Sequence, residues 1–122
     1  MAAPNIVNVT SIYGKTGGAV LGTTLTTDIL TCAANKVLKI NSIIVSNIDG
    51  SSSASATVYF YDSSAAARYA LVSTVSVPAD STVIVVGKDN PIYLEESDQI
   101  EGGASATGDL QIIISYEEID DA

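Results

Sequence analysis

Residues 36–50 read KVLKINSIIVSNIDG. Val37, Leu38, Ile40, Ile43, Ile44, Val45 and Ile48 are interleaved with polar residues at a two-residue period that slips once, and no 3.6-residue stripe fits them. A long β-strand that bends or bulges satisfies the pattern. Asp49-Gly50 supplies the turn chemistry that stops it, and a serine run follows.

Working outward, the same period recurs. Thr57–Tyr61 (TVYFY) alternates aromatic and β-branched residues, and Tyr69–Val77 (YALVSTVSV) places Tyr69, Leu71, Ser73, Val75 and Val77 on one side. Pro78-Ala79-Asp80 interrupts, because proline lacks a donor and fixes φ; Ser81–Gly87 then resumes as a short buried strand. Pro91–Leu94, Gln99–Gly102 and Leu110–Tyr116 continue the series toward the C-terminus. On the N-terminal side, Ile6, Val9 and Ile12 fall in a first extended segment, and Ala19–Leu30 is rich in Thr and Gly. Ser63–Leu71 reads as one helical turn or as a hairpin loop, and Gly50–Ala56 as a mobile low-complexity loop.

These segments predict an all-β chain of about eight or nine short strands with little or no helix, folded as a single antiparallel β-sandwich of jelly-roll or Ig-like type. One domain spans residues 1–122, with an extended N-terminal arm over 1–9 and an acidic C-terminal tail over 117–122 that frays by self-repulsion. A chain of this length buries about two-thirds of the surface it exposes when unfolded, so its core needs no staples.

Charge excludes several partners. Fourteen Asp and Glu against five Lys and Arg give a net charge of −9, which repels phosphate backbones and acidic membranes. No apolar run approaches membrane-spanning length, and MAAPNIVNV has neither the basic nor the apolar part of a signal peptide; folding in a cytoplasm is expected. Nucleic acid and membrane are therefore not expected partners. Cys32 stands alone and reads as a small buried hydrophobe.

Chemistry-bearing motifs fail one by one. Gly14-Lys15-Thr16 resembles the end of a phosphate loop, but the glycine required five positions earlier is Val9; a turn between the first two strands explains it. The chain has no histidine, the usual base for a serine nucleophile, and Lys36, Lys39 and Lys88 read as solvated lysines at strand edges. Asp49-Gly50-Ser51 lacks the hydroxyl residue of an aspartic-protease signature and sits where a hairpin turn is wanted. Glu95, Glu96, Asp98 and Glu101 crowd into seven residues, yet their spacing does not match the twelve-residue calcium loop. Leu94 and Ile100 are expected in the core, with Glu-Glu-Ser-Asp as their solvated connection. No catalytic residue, cofactor or metal is expected.

Five stretches in order, PNIVNVTSIYGKT (4–16), LKINSIIVSNIDG (38–50), VSVPADSTVIVV (75–86), PIYLEESDQI (91–100) and IISYEEI (113–119), resemble a family of small virion structural proteins of tailed bacteriophages, especially those of marine bacteria and cyanobacteria. The acidic turn in such proteins often reads Leu-Glu-Glu-Gly-Asp, and Ser97 stands here at the glycine; if that position needs positive φ, Ser97 is strained. The resemblance implies a non-enzymatic β-sandwich on the virion, a homotrimer decorating and cementing the outer capsid surface, assembled in the host cytoplasm and bound to the major capsid protein or another virion protein. A tail, collar or fibre-attachment adaptor is the alternative, and a carbohydrate-binding module a third class. For contacts, Pro4, Asn5, Ile6 and Val7 of the arm are the expected strand-adding segment, and Tyr59 with Tyr61, at i and i+2 on one strand face, the expected aromatic pair.

Overall fold

The computed structural model describes residues 3–120, and these form nine strands and no helix. In chain order they are β1 (Ile12–Val20), β2 (Thr27–Thr31), β3 (Lys36–Asn47), β4 (Ala54–Asp62), β5 (Ala67–Val77), β6 (Thr82–Val86), β7 (Ile92–Leu94), β8 (Gln99–Ala104) and β9 (Leu110–Asp120). Two antiparallel sheets result. The first runs β1-β9-β3-β6, with β7 sharing the outer edge of β3, and the second runs β2-β8-β4-β5. β1 thus pairs β9, β2 pairs β8, β3 pairs the broken strand β6/β7, and β4 pairs β5 as the innermost hairpin. This nested pairing across two sheets is that of a jelly roll.

The long strand read at residues 36–50 is central. β3 pairs β9 along its length, and its register slips between Ile40 and Ser42. Asn41 is the extra residue. Leu38 and Ile40 before it, and Ile43 and Val45 after it, therefore all face inward and are buried. They meet Ile112 and Ile114 of β9 and, from the second sheet, Val58 and Ile100 in one core. Full burial of each such side chain contributes about 1.5–3 kcal/mol.

Several boundaries differ from the sequence reading. β1 begins at Ile12, so Ile6 and Val9 lie outside any strand. Gly14-Lys15-Thr16 is mid-strand in β1 and not a turn. Ala54–Ala56 belongs to β4 and not to a loop, and Ala54 and Ala56 are buried in the core. The Asp49-Gly50 segment ends β3 as expected, but the chain crosses to the other sheet instead of making a hairpin. Ser63–Ala66 forms the β4–β5 hairpin turn, in which the Asp62 carboxylate accepts the Ser64 and Ala65 N–H groups. Register shifts on both sides of Val58 break the alternation of β5: Val77, Val75, Val72 and Tyr69 face the same way as Ala54, Ala56, Val58 and Phe60, and Leu71 and Ser73 fall at the shifts; Val77 is buried and Tyr69 is exposed.

The acidic end is ordered through residue 120. Glu117, Glu118 and Asp120 lie in β9 between β1 and β3, where backbone pairing on both sides overrides repulsion. Asp120 also gathers cations and hydroxyls: Lys36 Nζ forms a salt bridge with it, and Thr10 Oγ1 and Ser11 Oγ donate to Oδ2 at 2.6 and 2.7 Å. Lys36 is thus the start of a central strand and not a solvated edge residue. Met1, Ala2, Asp121 and Ala122, the outermost parts of the expected arm and tail, lie outside the described residues.

Candidate interaction surfaces

The acidic cluster is taken apart by the fold. Asp98 is 4% exposed, and its two oxygens accept the backbone N–H groups of Ser63 and Glu95, both at 3.0 Å. Its carbonyl accepts the Cys32 N–H, and the Ser97 N–H donates to the Cys32 carbonyl. The Asp98 side chain is therefore a buried knot joining the β7–β8 turn to the β4–β5 turn, and not part of a solvated connection. A carboxylate leaves water here because each oxygen finds a donor. Glu96 accepts the Asn35 N–H at 3.2 Å, while Glu101 lies on the outer face of the second sheet. The four acids do not converge. Ser97 has φ of 71°, so the serine does sit in the left-handed region. Cys32 is 2% exposed, its thiol beside the Lys36 carbonyl, and burial pushes its pKa up to about 11.

The expected aromatic pair is half-buried. Tyr59 and Tyr61 share the outer face of β4, with Glu101 opposite Tyr59 on β8 and Arg68 opposite Tyr61 on β5. Arg68 Nε donates to Glu101 Oε1 at 2.8 Å, and the guanidinium carbon stands 5.4 Å from the centre of the Tyr61 ring. That cation–π contact occupies a ring face on which a sugar would stack. Beside it, the β1–β2 connection crosses the sheet at Gly103, where a Cβ would lie 2.6 Å from the Thr24 carbonyl oxygen.

The N-terminal arm is turned, not extended. Asn5 Oδ1 accepts the Val7 N–H at 2.9 Å, and residues 3–11 contain no strand. Pro4 and Ile6 line a cleft of about 350 Å³ with Val37, Phe60 and Tyr93, whose rim carries Asp62 and Glu95. Phe60 points to the opposite face of β4 from Tyr59 and Tyr61, so the two expected contact groups are not brought together. Val7 is 82% exposed.

One surface was not foreseen. On the outer face of the first sheet, Gly18 of β1, Ile113 of β9, Ile44 of β3 and Ile84 of β6 stand in one cross-strand row. Ile84 is 70% exposed and Ile113 39%. The row on one side is Val20, Gln111, Ser46 and Thr82; that on the other is Thr16, Ser115 and Ser42. Hydroxyls bond across strands in both, Thr82 to Ser46 at 3.2 Å and Thr16 with Ser115 at 2.9 Å. None of these eleven positions is charged, on a chain of net charge −9. Unbroken runs, Ile43-Ile44-Val45 and Ile112-Ile113-Ile114, were the available signal: a strand apolar at consecutive positions is apolar on both faces.

No protein-family model, curated protein or solved structure matches the chain.

Proposed function

We propose that this chain is a non-enzymatic structural protein of a bacteriophage virion, seated on the outer capsid surface through the isoleucine row of the first sheet. The observation that carries the reading is that row. Ile44, Ile84 and Ile113 form an uncharged apolar centre with a hydroxyl border, which is the composition of a protein–protein interface core. Jelly rolls are recurrent in viral shells, and the resemblance over five stretches points the same way; fold alone assigns no function. No acid stands in the row or in the two rows beside it, and Glu117, the next residue of β9 on that face, lies one row beyond Ser115, so the centre of the face can meet a neighbour without bringing a carboxylate into a dry contact.

The test is labelling of intact virions with an antibody to this chain, viewed by electron microscopy. Label spread over the heads supports capsid decoration. Label at the tail or neck transfers the same fold to an adaptor, and absence of label overturns the virion reading.

A further inference from the structure

β1 is an edge strand with few of the usual protections. It runs nine residues without a register shift, eight of them exposed, and carries one charge, Lys15. Long, flat, uncharged edges recruit other strands, and natural edges are normally blunted by bulges, prolines or several charges.

The direction of its free groups can be read from its ends. Ser11 accepts the Asp120 N–H through its carbonyl, and the Leu21 N–H donates to the Leu110 carbonyl. In an antiparallel ladder such pairs alternate with residues whose N–H and C=O point the other way. The odd-numbered residues therefore bond β9, and Ile12, Gly14, Thr16, Gly18 and Val20 turn their backbone groups to the open side.

We propose that β1 pairs antiparallel with β1 of a second copy about a two-fold axis at Thr16, fusing the first sheets of two subunits into one. The strand is complementary to itself in this register. Tyr13 falls opposite Ala19, Lys15 opposite Gly17, Gly14 opposite Gly18, and Ile12 opposite Val20. Each bulky or charged side chain except the Ile–Val pair meets a small residue, and Thr16 meets Thr16, a favourable cross-strand pair. A one-residue shift to an axis at Lys15 sets two ammonium groups against each other. β1 itself carries no acid, and its Lys15 is paired with Glu118 of β9 at 3.2 Å, so this edge brings no unpaired carboxylate of its own to the contact. An axis perpendicular to the sheet preserves its faces, so both isoleucine rows look the same way. The proposal does not depend on the virion reading.

The experiment is light scattering coupled to size exclusion, with sedimentation to measure the dimer constant, on the full chain and three variants. Thr16→Pro removes a donor that faces the open side and leaves the β1–β9 ladder intact. Gly17→Lys sets a second lysine opposite Lys15 of the partner, whereas Gly17→Glu sets a carboxylate there. A Cβ at Gly17 meets nothing within 4 Å, so either side chain is accommodated by the subunit. The expected result is a dimer for the parent and Gly17→Glu, with dimerisation weakened roughly tenfold or more in Thr16→Pro and Gly17→Lys at unchanged circular dichroism. A monomeric or trimeric parent overturns the proposal, as does equal dimerisation of Gly17→Lys and Gly17→Glu. Should Thr16→Pro fail to fold, the Gly17 pair decides.

Discussion

Asp98 accepts the Ser63 N–H at 3.0 Å across 35 residues of chain, fastening the turn after β7 to the turn after β4. The same carboxylate takes the Glu95 N–H, so two half-buried backbone donors among the loops at one end of the sandwich depend on one side chain. Asp98→Ala leaves them to be satisfied by water or not at all. A buried donor left without a partner costs about 1–3 kcal/mol. Urea unfolding of Asp98→Ala is expected to show a free energy lowered by that order, seen as a lower midpoint at unchanged slope. Asp98→Asn keeps one acceptor and falls between. A midpoint equal to the parent's removes the knot from the account of stability.

Ser97, the neighbour of Asp98, has φ of 71°. A side chain in the left-handed region costs on the order of 1 kcal/mol, and glycine escapes that cost while giving back part of it as unfolded-state entropy. Ser97→Gly is expected to raise stability by up to about 1 kcal/mol. Thermal melting in parallel with the parent tests this, and a lowered melting temperature refutes it.

The Asp98 knot also marks how far the sequence could be read. The two-residue period at Val37–Val45, and its slip, were legible because a buried strand must keep its apolar side chains on one face, and the bulge at Asn41 is the means. Most strands survived similar reasoning elsewhere, but the first was read too early, at Ile6–Ile12, and its middle, Gly14-Lys15-Thr16, was read as a turn. What failed was set by contacts distant in the chain. Asp98 looks solvated beside Glu95 and Glu96 because Ser63 is not in view, and the C-terminal acids look frayed because Lys36, Thr10 and Ser11 are not. Ala54–Ala56 hid in a serine and alanine run, since small residues of weak hydrophobic contrast carry little periodic signal. The isoleucine row was readable in principle, from three consecutive isoleucines in β9, but only the topology aligns Ile113 with Ile44 and Ile84.

Asp120 gives a pH dependence. The Lys36 ammonium, then the Thr10 and Ser11 hydroxyls, hold its carboxyl well below the usual carboxylate range. A folded-state pKa below the unfolded value means that the stabilisation is fully present above the unfolded value of about 3.9 and is lost as pH falls from there toward the folded one. Lys36 is raised by the same partner, so its contribution is present below its unfolded pKa and fades as pH rises through the folded one. Melting temperature measured from pH 6 down to pH 2 is expected to fall less steeply in Asp120→Asn than in the parent, because the variant has no carboxylate there to take up the linked proton. Parallel curves would show that Asp120 titrates alike in both states.

The isoleucine row separates binding from folding. Ile84 is 70% exposed, whereas Ile43, next to Ile44 on the same strand, is fully buried. Truncating Ile43 to alanine removes core packing and is expected to destabilise the fold by about 2–5 kcal/mol. Ile84→Ser touches no core and should stay within about 0.5 kcal/mol of the parent. Its effect belongs to the surface: if the row seats the protein on a shell, Ile84→Ser lowers recovery of added protein with purified capsids several-fold, and Ile84→Asp lowers it further, because a carboxylate must then lose water in an apolar contact. Tyr69→Ser, also at an exposed site, controls for loss of any surface apolar group. Equal recovery of all four proteins with capsids would move the contact off this face, and a loss confined to the Ile84 variants assigns it there.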